Sequence, residues 1–320
     1  MRELLTIGRY FKKKFHQRIR KIPISLQGFT CPNIDGSVAR GGCIYCRNES
    51  FSPSLIKLDK TIHTKMNFKI TENLILGIQL QQLEEQFCWH ANFHKDKFDI
   101  QKYMIYLQSF SNTYAPFETL KAIYDKSLSF PNVVGMSIGT RVDCIEDKTL
   151  DLLQEYTLNQ KEIWLEYGIQ STFEETLKAT NRGHGIAGIA ELFKKTRQRG
   201  IKVCAHLIYG LPNETPEMML ESLQTVLSWG IDGIKIHPLY VVSQTKLAKM
   251  YEQGLYQPIT LETYGELIAK SLEIIPQDII IQRISSGAHD ETLIAPKWCF
   301  DKNIQMRYLR EKLKDIGIQY

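Results

Sequence analysis

Three of the seven cysteines in this 320-residue chain stand in one short stretch, Cys31-Pro-Asn-Ile-Asp-Gly-Ser-Val-Ala-Arg-Gly-Gly-Cys43-Ile-Tyr-Cys46. Thiolates grouped in this way hold a metal ion, hold an iron–sulfur cluster or exchange disulfides, and each use wants its own ligand count. A structural zinc site takes four protein ligands. A [4Fe–4S] cluster held by three cysteines leaves one iron open for a substrate or cofactor. The Cys43–Cys46 pair alone has a spacing that zinc sites and thioredoxin-like motifs share. Three thiols without a close fourth ligand therefore favour the cluster. The rival readings are a zinc-stabilised nucleic-acid-binding module, with a fourth ligand from His63, Cys88 or His90, and a thiol–disulfide oxidoreductase using Cys43 and Cys46. Gly41-Gly42 lets the backbone turn tightly ahead of Cys43. Cys88, Cys144, Cys204 and Cys299 read as small buried hydrophobes.

The elements that must position this loop alternate between short apolar runs and longer helical patterns. Strands are predicted over Ile22–Gln27, Tyr103–Gln108, Val133–Ile138, Ile163–Tyr167, Val203–Ile208 and Ile234–Leu239. Helices are predicted near Glu72–Gln86, Phe117–Leu128, Lys148–Tyr156, Ile186–Arg199 and Pro216–Leu227, the last with Thr215 as N-cap and Pro216 at its first position. Six βα units imply parallel strands, and so a partial (β/α)6 TIM-like barrel of α/β class; an open doubly wound sheet is the alternative. The cysteine loop then follows the first strand, at the end where barrel active sites are built. The organisation expected is a basic N-terminal arm over 1–20, a core barrel over 21–240, and a C-terminal α+β extension over 241–320 packed on the barrel. That extension is mostly helical, with one strand near Ile279–Ile284.

Composition bounds the function class. Hydrophobic residues at 43% and charged residues at 23% describe a soluble chain with a sizeable core. No apolar run approaches the ~20 residues of a membrane span. The N-terminus lacks an apolar leader, so a cytoplasmic location is expected. The formal charge of +5 is uneven: residues 1–21 hold eight basic side chains against Glu3, with Tyr10, Phe11, Phe15 and His16 interleaved. Such a segment reads either as a grip for a polyanion or as a solvated helix. Glu162, Trp164 and Glu166 alternate along one strand, which makes an inward Glu166 a site candidate. Lys235 and His237 share a face of the sixth strand and are candidates for substrate contact.

Thr30-Cys31-Pro-Asn-Ile-Asp-Gly followed by Gly41-Gly42-Cys43-Ile-Tyr-Cys46 resembles the cluster loop of the radical S-adenosylmethionine (SAM) superfamily, with a first gap wider than the commoner spacing. Further matches follow in order. They are Gln108-Ser-Phe-Ser-Asn-Thr-Tyr-Ala-Pro116, Thr140-Arg-Val-Asp-Cys144, Glu166-Tyr-Gly-Ile-Gln-Ser171, Thr180-Asn-Arg-Gly-His184 and His206-Leu-Ile-Tyr-Gly-Leu-Pro212. The likeness covers roughly residues 20–240 and is strongest to a bacterial subfamily related to the Elongator catalytic subunit and to the anaerobic coproporphyrinogen oxidase.

The resemblance implies that Cys31, Cys43 and Cys46 ligate a [4Fe–4S] cluster. It also implies that SAM is cleaved reductively to a 5′-deoxyadenosyl radical, which takes a hydrogen atom from substrate. By motif position, Tyr45, Ser111, Asn112, Thr113, Glu166, Gln170, Arg182 and His206 would surround SAM, with Arg182 suited to its carboxylate. Where the superfamily usually has a glutamate for the SAM amino group, this chain has the polar run Ser109–Thr113. Arg141, Lys235 and His237 would contact substrate. The resemblance further implies tRNA as partner, with the C5 substituent of the wobble uridine as target, and an electron donor such as flavodoxin or ferredoxin. A small porphyrin-like substrate is the alternative.

Overall fold

The computed structural model describes residues 2–47 and 64–320. The expectation for His63 lies outside the described residues. In chain order the described elements are β1 (Arg2–Glu3), α1 (Ile7–Phe15), β2 (Ile19–Ile24), α2 (Pro32–Asp35), α3 (Leu76–Phe98), β3 (Lys102–Leu107), α4 (Phe117–Ser129), β4 (Val133–Thr140), α5 (Asp147–Leu158) and β5 (Glu162–Gln170). Then come α6 (Glu174–Ala179), α7 (Ile189–Gln198), β6 (Lys202–Tyr209), α8 (Pro216–Ser228), β7 (Gly233–Pro238), β8 (Val241–Val242) and α9 (Lys246–Glu252). The chain continues through α10 (Leu261–Ile274), β9 (Ile280–Arg283), β10 (Leu293–Ala295), α11 (Lys302–Asp315) and β11 (Ile318–Gln319).

β2 to β7 and β9 form one seven-stranded parallel sheet in the order β2-β3-β4-β5-β6-β7-β9. It curls into the partial barrel that the six βα repeats imply. The expected strand in the extension is β9, which adds the seventh stave beside β7. Parallel strands covered on both faces read as near-continuous apolar runs, and β5 is buried along almost its whole length. α8 begins as expected: Thr215 Oγ accepts from Met218 N at 3.4 Å and Pro216 occupies the first turn. The two outermost strands, β2 and β9, are not paired with each other, so the barrel keeps a seam. At its lower end the seam is stapled by a bridge between Thr6 and Ile281.

Boundaries moved where polar residues sit in strands. β2 starts at Ile19 rather than Ile22, because Lys21 turns into the barrel while Ile22 and Ile24 face the helices. α3 runs on to Phe98 through a stretch whose Trp89, Phe93 and Phe98 stay exposed, so no apolar stripe marks it.

Residues 2–20 are not a free arm. β1 pairs with β11, and Arg2 Nη1 donates to Leu272 O at 2.9 Å, at the C-terminal turn of α10. α1 plugs the barrel floor, with Phe11 packed among Met104, Trp164, Cys204 and Ile280 near the starts of their strands. Arg9 pairs with Glu3 at 2.8 Å, and Lys14 and Tyr10 both bond Glu162, the tyrosine at 2.7 Å. Much of the local positive charge is therefore used inside the fold, at the end away from the cysteines.

Candidate functional site

The cysteine loop leaves the C-terminal end of β2, with Cys31 at the N-cap of α2. Gly41 and Gly42 both take φ near +80° (83° and 73°), the left-handed region the tight turn before Cys43 requires. The loop is bolted to the turn after α6 from both sides. Asn33 Nδ2 donates to the carbonyls of Asn181 (2.5 Å) and Arg182 (2.7 Å), while Asn181 Nδ2 donates to Gly42 O at 2.6 Å. Backbone bonds from Ile44 N to Thr180 O, Ser111 N to Thr30 O and Leu247 N to Ile44 O complete the frame. The Thr180–His184 motif thus exists to hold the loop as well as to present Arg182.

Cys31, Cys43 and Cys46 all border one cavity of about 200 Å³ at the barrel mouth, together with Ser111, Arg141, Gln170, Arg182 and His206. A larger chamber of about 460 Å³ adjoins it, walled by Cys43, Tyr45 and Cys46 on one side and by residues of the C-terminal segment on the other. Such a volume suits a cofactor-sized ligand. Arg182 reaches Cys43 Sγ at 3.9 Å and is steadied by Gly168 O at 2.6 Å. A Cβ on Gly168 would stand 2.8 Å from both Arg182 Nη2 and Gln170 Nε2, so any larger residue there would displace the ends of these two side chains. Gln170 closes β5 with φ of 74°, at a register shift against β6 that re-aims its side chain toward the mouth.

Polar atoms here await a partner. Asn33 Oδ1, Ser111 Oγ, Arg182 Nε, one Arg141 Nη, His184 Nε2 and His237 Nε2 are buried without a hydrogen bond. Orphaned buried donors cost about 1–3 kcal/mol each unless something fills the space. Burial pushes the Cys31 thiol up, opposed by Arg141 and by the Asn33 amide, which favour the thiolate a metal needs. Among the described residues no three His, Cys, Asp or Glu side chains are set to hold a single metal ion. Three sulfurs facing a shared cavity, beside guanidinium groups and unfilled donors, fit an iron–sulfur cluster with an anionic cofactor group next to it.

Below the mouth lies an ionic hub. Glu166 accepts from Lys21, Lys235, Ser137 Oγ (2.6 Å) and His206 Nε2 (3.0 Å), drawing on β2, β7, β4 and β6. Tyr106 of β3 accepts from Lys235 at 3.2 Å, and both lysines lie 4.5 Å above its ring. Burial would raise the Glu166 pKa, but the two lysines and His206 outweigh it and hold the carboxyl well below the usual range. Burial, then Lys235, depress His206 to about 4, so it donates as a neutral imidazole.

Most of the sequence candidates therefore converge. The three cysteines, Tyr45, Ser111, Gln170, Arg182, His206, Arg141 and His237 border the two cavities. Asn112 and Thr113 do not: Asn112 Nδ2 is spent on the Ser109 and Gly139 carbonyls, and Thr113 Oγ1 on Thr140 and the Cys144 carbonyl. Glu166 touches the smaller cavity with both oxygens already engaged, which makes it a support for His206 rather than a free ligand. Lys235 is held by that carboxylate and by Tyr106. Arg141 is clamped bidentately by Asp143, at 2.8 and 2.7 Å. Sequence reasoning missed Asn33, although it stands two residues from Cys31, and also Arg283 and Lys302, which no motif flags.

The family model of the Radical SAM superfamily matches residues 38–226, and that of the Radical_SAM C-terminal domain matches 231–315. Protein YhcC of Escherichia coli is 35% identical over 307 residues, covering 96% of this chain and 91% of that protein. Elongator complex protein 3 of Saccharomyces cerevisiae is 27% identical over 211 residues, 62% of this chain and 37% of the yeast protein. Among solved structures, archaeal Elp3 from Methanocaldococcus infernus superposes with a TM-score of 0.59 at 16% identity, over 93% of this chain and 64% of that one. By its matched core, its C-terminal domain and its relatives, this chain belongs to the radical SAM superfamily.

Proposed function

We propose that this radical SAM enzyme acts on the C5 substituent of the wobble uridine in tRNA, in the cytoplasm, drawing its electron from a flavodoxin or ferredoxin. The family uses a [4Fe–4S] cluster and SAM, and the three-cysteine cavity with its unfilled donors is the observation that carries the reading here. Cys31, Cys43 and Cys46 hold the cluster. Arg182 pairs with the SAM carboxylate, Tyr45 packs beside the adenine, and Ser111, Gln170 and His206 supply polar contacts around amino group and ribose. When bound, the pair supplies one-electron cleavage of the sulfonium and a carbon radical that removes a hydrogen atom from substrate.

What this chain does for that chemistry is to orient. Asn33 and Asn181 lock the cysteine loop on the Arg182 turn, so the SAM carboxylate site and the cluster site are registered by direct hydrogen bonds. The Glu166 hub ties four strands together beneath the cavity and fixes the His206 tautomer. The relation to Elongator complex protein 3 supports tRNA as substrate. An unstacked anticodon base is also a form in which RNA presents one nucleoside to a cavity. Nucleoside mass spectrometry of tRNA from a deletion strain tests this: a wobble uridine should arrest at a precursor, and retention of every wobble modification removes the proposal.

A further inference from the structure

The chamber wall farthest along the chain from the cysteines carries charge that nothing neutralises. Arg283 ends β9 and Lys302 opens α11, and both border the 460 Å³ chamber. They also border a 350 Å³ cavity at the seam between β2 and β9, shared with Arg20, Lys21 and Lys235 and lined by no carboxylate. Lys21 and Lys235 have Glu166 as counter-ion. Arg283 and Lys302 have none: among the described residues neither side chain makes a hydrogen bond or an ion pair. Burial, then the Arg283 guanidinium, lower the Lys302 pKa, and both cations act on His237, whose Nε2 is itself unpartnered. The carboxylate nearest by lining is Asp290, an exposed rim residue that accepts from Thr292 N at 3.0 Å and folds its own loop.

Two like charges and an unfilled imidazole, half-buried together, are costly unless a ligand brings the counter-charge. We infer that Arg283 and Lys302, with His237, form a subsite for an oxyanion of the substrate, a carboxylate or a phosphate, at the junction of chamber and seam. The inference rests on the reading of this chamber as the substrate space beside SAM. The guanidinium fork suits a two-oxygen face, while the ammonium adds a point charge. The C-terminal segment thereby selects what enters, and the cysteine side performs the chemistry on it.

The test uses the reconstituted enzyme with SAM, titrated calorimetrically at constant ionic strength with inorganic phosphate, with malonate, and with an anticodon stem-loop RNA. Wild type should bind at least one of the three saturably. Arg283→Gln/Lys302→Gln should weaken that binding about tenfold or more, the loss of roughly 1.4 kcal/mol. Arg283→Lys, which keeps the charge and loses the fork, should weaken binding less than the double variant, and Lys13→Gln, on the barrel floor, should change nothing. An effect on phosphate or malonate assigns a small-molecule anion, and an effect on RNA alone assigns a nucleic-acid phosphate. If the double variant does not reconstitute, Lys302→Met should still weaken binding severalfold. The inference is overturned if no probe binds saturably, or if every probe binds variant and wild type alike. Equal loss in Lys13→Gln overturns it too, because it would reveal non-specific charge. None of these readings depends on which tRNA modification changes in a deletion strain.

Discussion

The floor and the mouth of this barrel are both crowded with polar side chains, and they treat them in opposite ways. On the floor Glu162 is saturated, taking Tyr10 Oη at 2.7 Å, Trp164 Nε1 at 2.8 Å and Lys14. At the mouth Asn33, Ser111, Arg141, Arg182 and His237 each hold back an atom. A fold under no other demand pairs what it buries. Unpaired buried atoms also occur away from the mouth, as at Arg2 Nε and Gln282 Nε2, but around the cysteine cavity they gather, and there they mark where something else must arrive.

The sharpest way to break that contrast is at the sulfurs. Replacing Cys31, Cys43 or Cys46 with Ala should abolish iron binding and 5′-deoxyadenosine formation while the thermal midpoint of the apo-protein barely moves; one active variant would remove the cluster assignment. Glu162→Ala should do the reverse. It strands the buried Trp164 Nε1 and the part-buried Tyr10 Oη and should cost about 2–3 kcal/mol in a denaturant titration, with the mouth chemistry retained in the folded fraction.

Acid should find the interior next. Burial, followed by Arg182 at His184 and Lys235 at His206, holds each imidazole near 4 from an ordinary 6.5. The folded state keeps both neutral while the unfolded chain takes up protons. Stability is therefore full above pH 6.5 and falls as pH drops toward 4, by up to about 1.4 kcal/mol per unit for each group. A flat stability profile across that window would show these rings to be solvated. Gly168→Ala should displace Arg182 and raise the SAM dissociation constant about tenfold, near 1.4 kcal/mol, with little change in stability. The smallest effect belongs to Lys12→Gln/Lys13→Gln, exposed on the floor helix: within about 0.5 kcal/mol of wild type and without consequence for RNA binding.

How much of this was legible depended on whether the signal was local. Strands such as β5 and β6 announce themselves because burial on both faces demands near-continuous apolar runs, interrupted here by Glu162, Glu166 and His206. The cysteine loop is legible because ligand type and spacing are chemistry written in one stretch. The basic start of the chain misleads, since a charge count cannot show that Arg2, Arg9 and Lys14 have partners hundreds of residues away or across a turn. Asn112 and Thr113 show a different limit: residue type marks a polar run beside a site, and the fold shows Ser111 facing the cavity while Asn112 and Thr113 bond groups of the chain itself. Arg283 and Lys302 carry no motif; the seventh strand brings Arg283 to the chamber and the start of α11 brings Lys302.

That strand has a mechanical corollary. Because β9 and β2 share no backbone ladder, the gap between them is spanned, among the described residues, by the Lys21 Nζ–Gln282 Oε1 hydrogen bond of 3.1 Å, beside the bridge from Thr6 to Ile281. Above those ties no strand pairing joins the two edges, as in a collar fastened by its lower buttons. Its girth answers to side chains rather than to a closed ring of peptide bonds, so a bulky guest can lean in from the flank while most of its mass stays outside.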